Sequence, residues 1–116
     1  MKVGKETICQ IKVCNWVKQK TDLPFIHIAN ERVTSLPSGS LFKRMGVRAG
    51  VSDCFIPRAN ATHHGLWIEL KIKPNKPTDL QKKFLEDMQK EGYGAYVAYS
   101  SLEAIQIIKD FYQILS

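Results

Sequence analysis

The first twenty residues place apolar side chains at the spacing of a helix. No glycine or proline interrupts residues 5–20, and Pro24 ends the pattern, because the residue before a proline avoids helical backbone angles. We therefore predict a helix over residues 5–20. Its apolar positions are Ile8, Ile11, Val13, Trp16 and Val17.

Short segments of mixed character follow this helix. Residues 25–28 are an apolar run that predicts a short buried strand. Residues 30–39 contain a proline, a glycine and three hydroxyl side chains, which indicates a loop. Residues 40–45 predict one or two helical turns that end at Gly46.

Two strands are predicted in the middle of the chain. The first covers residues 51–58 and ends at a proline and a polar loop. The second covers residues 66–72, where side chains alternate between the two faces of a strand. Leu66, Ile68, Leu70 and Ile72 form the apolar face, and Trp67, Glu69 and Lys71 form the other.

The C-terminal third predicts a helix, a strand and a second helix. Thr78 and Gln81 make a capping-box pattern at the start of a helix over residues 78–91, and a glycine follows its end. Residues 94–99 predict a strand. The last helix begins with a second capping-box pair, Ser100 and Glu103. Four apolar residues lie on one side of it: Leu102, Ile105, Ile108 and Phe111.

The order of these elements is typical of an α/β domain. It reads helix, strand, short helix, strand, strand, helix, strand, helix, which predicts a central mixed β-sheet flanked by helices. A helix connects the last two strands, so we expect them to lie parallel through a right-handed crossover. The 116 residues suit a single domain over residues 1–116.

Composition and charge narrow the class of protein. The chain is 44% hydrophobic, as in an ordinary globular protein, and it has no apolar run long enough to span a bilayer, which excludes an integral membrane protein. The N-terminus does not resemble a signal peptide, so we expect a cytoplasmic protein. The net charge of +6 favours polyanions, and ten of the 17 basic residues lie between Arg32 and Lys83. Three cysteines without a C-x-x-C spacing predict free thiols.

Ionisable residues on the two central strands are the strongest candidates for chemistry. Asp53 lies early in the first strand, and Glu69 and Lys71 leave the same face of the second. If the strands are neighbours, the two carboxylates repel each other unless a cation lies between them. Mg²⁺ or Mn²⁺ with oxygen ligands, including the Leu70 carbonyl, removes that repulsion. The alternative is a chance triplet whose charges are solvated or form a cross-strand ion pair.

An ammonium group beside such a metal site has a specific use. Lys71 can orient an attacking water or neutralise charge on a pentavalent phosphorane. Gln81, in the first turn of the next helix, is placed to touch the water, the ammonium or a phosphate. These residues together predict a site for in-line attack on a phosphodiester, and the neighbouring basic residues suit the same polyanion.

The chain resembles the VRR-NUC domain family, a branch of the PD-(D/E)XK nuclease superfamily, over nearly its whole length. The matching segments occur in the family's order, with Ser52 in place of the proline of the superfamily motif. They are Glu6, residues 27–32, residues 46–53, residues 68–71, Gln81 and residues 92–104. The resemblance implies a restriction-endonuclease-like core.

The resemblance also implies roles for individual residues. Asp53 and Glu69 correspond to the metal-binding acids, Lys71 to the catalytic lysine, and Gln81 to the motif's helix glutamine. Glu6 corresponds to an acid that the first helix contributes, directly or through water. The predicted catalytic residues are thus Lys71, Asp53, Glu69 and Gln81. The predicted metal ligands are Asp53, Glu69, Leu70 and Glu6. The predicted DNA contacts are Arg32, Lys43, Arg44, Arg48, Lys73 and Lys76.

The resemblance implies a Mg²⁺- or Mn²⁺-dependent DNA endonuclease that acts as a homodimer on four-way (Holliday) junctions or related branched DNA. Two symmetric active sites would allow paired nicks in such a junction. Two alternatives stay open from the residues alone. One is a non-catalytic nucleic-acid-binding module, and the other is a nuclease that acts on flap DNA or RNA.

Overall fold

The computed structural model describes residues 3–29 and 39–115. Within these ranges the helices and strands occur in the predicted order. They are α1 (Lys5–Lys20), β1 (Ile26–His27), α2 (Gly39–Arg44), β2 (Cys54–Ile56), β3 (Leu66–Leu70), α3 (Asp79–Lys90), β4 (Gly94–Ala98) and α4 (Ser101–Tyr112). No helix in the described ranges is long and apolar enough to cross a bilayer.

The four strands form one mixed sheet in the order β1-β2-β3-β4. The pairs β1–β2 and β2–β3 are antiparallel, and β3–β4 is parallel, as the connecting helix α3 predicted. In the register, Cys54 lies opposite Ile68, and Ile68 lies beside Tyr96. The α/β fold class is therefore confirmed.

Helices cover both faces of the sheet. On one face α1 and α4 pack against each other and against β3, and on the other α3 packs against β3 and β4. The ring of Phe84 in α3 meets Trp67 edge to face, with 4.9 Å between centroids. The main core lies under α1 and α4 and is built from Cys9, Val13, Val17, Cys54, Ile56, Leu66, Ile68, Leu70, Ala98, Ala104 and Ile108.

The strands are shorter than predicted. β1 has two residues, and both are exposed, so the prediction of a buried strand over residues 25–28 is wrong. The reason is that β1 is the edge of the sheet and pairs with β2 alone. β2 ends before Pro57, which has no N–H group to offer a neighbouring strand. The loop was predicted over residues 30–39. Residues 30–38 lie outside the described residues, and Gly39 begins α2 and does not belong to the loop.

Two predicted helix faces were partly wrong. In α1, Ile8 and Ile11 are 43% and 50% exposed, and in α4, Leu102 is 78% exposed. The second capping box is also incomplete, because Glu103 Oε1 accepts from the Tyr99 N–H instead of from Ser100. The buried stripes follow a four-residue spacing on each helix: Cys9, Val13 and Val17 on α1, and Ala104 and Ile108 on α4.

Candidate active site

The register of the sheet brings Asp53 and Glu69 together. Because Cys54 pairs with Ile68 in antiparallel strands, the preceding Asp53 lies opposite Glu69 and on the same face. The Leu70 N–H donates to Asp53 Oδ2 at 2.8 Å, which fixes the Asp53 carboxyl just before the first residue of β2. This is the convergence that the sequence predicted, although Asp53 lies just before the strand and not within it.

The backbone of Asp53 is held as firmly as its side chain. Its carbonyl oxygen accepts from the Ile28 N–H at 2.7 Å and from His27 Nδ1 at 3.0 Å. A carbonyl can only accept, so His27 carries its proton on Nδ1 in this contact. The edge strand β1 thus fixes the position from which the Asp53 carboxyl leaves the chain.

Glu69 is a buried acid with only half of its carboxyl compensated. The residue is 1% exposed. Its Oε2 lies 3.9 Å from Lys71 Nζ and accepts from Gln81 Nε2 at 3.3 Å, while its Oε1 is buried and has no hydrogen-bond partner in the part of the chain that the structure describes. Burial first, and then the neighbouring Asp53 carboxyl, raise the pKa of Glu69 to about 9, against the opposing effect of Lys71.

The capping box of α3 orients the site glutamine. The Gln81 N–H donates to Thr78 Oγ1 at 3.2 Å, and the Thr78 N–H donates to Gln81 Oε1 at 2.8 Å. Because the cap uses Oε1, the Nε2 group is the end of the amide that is directed to Glu69. The same residue therefore begins the helix and contacts the acid.

A glycine allows the loop before Asp53 to approach α3. Gly50 has φ +89°, and a Cβ atom there would lie 2.8 Å from the carbonyl carbon and oxygen of Leu80. Gly46 also has a positive φ, +97°, but no described residue has an atom within 4 Å of its Cβ position. The loop that leads to Asp53 thus rests on the residue that precedes Gln81.

A small cavity of about 190 Å³ lies beside Asp53, between α1 and the ends of β1, β2 and β3. Glu6 reaches it from the first turn of α1, so the predicted third acid lies at the same cavity as Asp53. Three of the residues that line this cavity were not predicted as site residues from the sequence: Thr7, Gln10 and His27. Glu6 and Gln10 are one helical turn apart, a spacing that could have identified Gln10. The cavity is lined by Glu6, Thr7, Gln10, His27, Asp53 and Leu70.

The donor set fits a hard divalent cation. Among the residues that the structure describes, no three His, Cys, Asp or Glu side chains lie close enough to hold a metal ion together. Mg²⁺, however, needs only one or two carboxylates and completes its shell with other oxygens. Asp53 and Glu69 supply two, and Glu69 Oε1 has no hydrogen-bond partner among the described residues, so it is a candidate ligand atom.

The predicted DNA contacts differ in how the fold uses them. Lys43 and Arg44 are exposed in the last turn of α2, and Lys76 is exposed before α3. Arg48 bonds Asp87 at 3.0 Å and lies over the Phe84 ring, so it also holds the loop to α3. Lys73 lies over the Tyr99 ring, and Arg32 lies outside the described residues.

Two other features lie apart from the carboxylates. His63 bonds Thr62, and His64 packs on Tyr93, so each has a structural contact of its own. A wide groove of about 1050 Å³ lies at the opposite end of the sheet, between the C-terminal ends of α1 and α4 and the loop after β2. Its volume is larger than that of the cavity beside Asp53, but Asp53, Glu69 and Lys71 do not line it.

Comparison with known proteins agrees with this architecture. The model of the VRR-NUC domain family matches residues 3–102. A solved structure titled "VRR_NUC domain protein" is similar with a TM-score of 0.80 and 32% sequence identity, over 98% of this chain and 93% of that chain. A search of curated proteins finds no match.

Proposed function

The chain belongs to the VRR-NUC family, a family of nuclease-type domains, and we propose that it is a divalent-metal-dependent endonuclease that hydrolyses phosphodiester bonds in DNA. The family supports the nuclease class, with DNA as its substrate. Dependence on Mg²⁺ or Mn²⁺ and selectivity for branched DNA are our own proposals.

One observation carries this proposal. The Asp53 and Glu69 carboxylates lie side by side, and Glu69 has one buried oxygen without a hydrogen-bond partner among the described residues. The Lys71 ammonium lies 3.9 Å from the other oxygen of Glu69. A purely structural ion pair would be expected to satisfy both oxygens of a carboxylate that is 1% exposed. A site that takes a cation and an anionic substrate needs one oxygen left for the cation.

Each residue has a distinct role in the proposed mechanism. Asp53, Glu69 and the Leu70 carbonyl would hold the cation, with Glu6 next to them at the cavity. When bound, the cation supplies a water of lowered pKa and stabilises charge on the phosphate. Lys71 places a positive charge where the attacked phosphate gains negative charge. Gln81 holds Glu69 in place through Oε2.

The proposed substrate is a four-way junction or related branched DNA, bound by a homodimer. The support is the charge of +6 and the exposed basic residues Lys43, Arg44, Lys73 and Lys76, which would contact phosphates together with Arg32 and Arg48. Contacts to phosphates read the shape of the substrate and not its base sequence. A dimer would place two equivalent sites on the two strands that a junction resolvase must cut.

The test is cleavage of a synthetic four-way junction with Mg²⁺ or Mn²⁺. We expect wild type to nick it, and Glu69→Gln and Lys71→Ala to lose at least 100-fold of the rate. The first change removes a ligand of the cation, and the second removes the positive charge beside the reacting phosphate. Glu86→Gln and Lys90→Ala make the same chemical changes on the exposed side of α3 and should leave the rate unchanged.

Different results would support the alternatives. Junction binding without any product, in both metals and in wild type, would refute the enzyme and favour a non-catalytic binding module. Faster cutting of flap DNA or RNA than of junctions at the same salt concentration would refute the proposed substrate and keep the reaction. Sedimentation of the protein with and without a junction would test the homodimer.

A further inference from the structure

One residue that lines the cavity beside Asp53 has a hydrogen-bond donor that no described residue uses. Gln10 lines this cavity from α1. Its Oε1 accepts from Cys54 Sγ at 3.1 Å, but its Nε2 is buried and has no hydrogen-bond partner within residues 3–29 and 39–115. A buried N–H group without an acceptor is costly, because it has lost water and gained nothing in exchange.

The orientation of the amide does not remove the problem. If the two ends were exchanged, Nε2 would face the Cys54 thiol, and Oε1 would be the buried atom without a partner. That oxygen would then lie at a cavity whose other lining includes the carboxylates of Glu6 and Asp53, which would repel its partial negative charge. The donor end therefore belongs at the cavity, and it needs an acceptor.

The chemistry of that acceptor follows from the surroundings. Among the described residues neither Glu6 nor Asp53 accepts from Nε2, so the acceptor that suits this donor is an oxygen of a water or of a bound ligand. We propose that Gln10 is a further substrate-binding residue, whose Nε2 group donates a hydrogen bond to a non-bridging oxygen of the scissile phosphate. This inference rests on the proposed function and adds a contact from α1 to those from β2, β3 and α3.

A satisfied amide elsewhere in the chain makes the inference sharply testable. Gln89 Nε2 donates to the Ala95 carbonyl at 2.9 Å, so that amide is used by the fold. Changing each glutamine to methionine keeps the length of the side chain and removes the amide. Gln89→Met should lower the melting temperature and leave DNA affinity unchanged. Gln10→Met should keep or raise the melting temperature and weaken DNA binding.

Binding is measured with Mg²⁺ in a Lys71→Ala background, which prevents cleavage, on a junction whose cut positions have been mapped with wild type. We expect Gln10→Met to raise the Kd by about 10- to 100-fold, as for a hydrogen bond to a charged group. The same comparison is repeated on DNA that carries an uncharged methylphosphonate at the cut position. A methylphosphonate keeps one uncharged non-bridging oxygen, so the effect of Gln10→Met should shrink there, and it should vanish in the diastereomer whose methyl group replaces the accepting oxygen.

Two results would overturn the inference. The first is an unchanged Kd in Gln10→Met, whatever the melting temperature does. The second is an equal loss of affinity on phosphate and methylphosphonate DNA, which would mean that the substitution disturbs the fold and not a contact. Both are distinct from a failure of the proposed function, which would show as wild type that never cuts DNA.

Discussion

Substitution of Gly50 by alanine would test how the loop before Asp53 is seated. The added Cβ would lie 2.8 Å from the Leu80 carbonyl carbon and oxygen, which are backbone atoms that cannot swing aside. The residue would also have to keep φ near +89°, where an L side chain costs about 1–2 kcal/mol. Overpacking adds about 1–3 kcal/mol, so we expect the free energy of unfolding to fall by roughly 2–5 kcal/mol.

Gly46→Ala is the matched control for this change. It carries the same backbone cost at φ +97° but meets no atom within 4 Å, so its loss should be only about 1–2 kcal/mol. Urea unfolding followed by tryptophan fluorescence measures both values, since the chain contains Trp16 and Trp67. Equal stabilities for the two variants would refute the close approach of the loop to Leu80. We also expect junction cleavage to fall further in Gly50→Ala, because Leu80 precedes Gln81.

Three further results are expected. Thr78→Ala should lower the free energy of unfolding by about 1 kcal/mol, and it should slow cleavage by more than this loss of stability explains, because the cap also orients Gln81. Thr78→Ser should keep both the stability and the cleavage rate. Urea denaturation and single-turnover rates measure the two effects. Tyr112→Phe loses the bond to the Arg58 carbonyl at 2.8 Å, about 1 kcal/mol at pH 8. Burial raises the pKa of Tyr112 to about 12, above the value near 10 in the unfolded chain, so wild type loses stability as the pH rises from 10 to 12. The difference in unfolding free energy between wild type and Tyr112→Phe should therefore narrow over this pH range, as measured by urea titrations. Removal of divalent ions by a chelator should abolish cleavage and leave the circular dichroism spectrum unchanged.

Local sequence signals predicted much of the fold because their causes are local. The capping pair Thr78 and Gln81 begins α3 where it was expected, and the period-two pattern of β3 separates Leu70 from Glu69 and Lys71. Gly46, which was predicted to end the short helix, follows α2 and has a positive φ of +97°. Each of these features depends on neighbours only a few positions away in the chain.

Burial was harder to predict where several apolar residues surround one helix. Ile8 and Ile11 are as apolar as Val13, yet they are exposed, because only the face of α1 that meets the sheet and α4 is covered. The same applies to Leu102 in α4. Hydrophobicity shows which residues are able to enter a core, whereas the direction in which a helix is docked decides which of them do.

The sequence by itself determined the order of elements, the mixed sheet and the shared face of Glu69 and Lys71, since periodicity and connection chirality are properties of the chain. Only the tertiary structure decided which register puts Asp53 opposite Glu69, which carboxyl oxygen is left without a partner, and that Gln10 has an unused donor at the same cavity. These features depend on contacts between residues as far apart as 10 and 54, and no local pattern encodes the distance or the angle at which such residues meet.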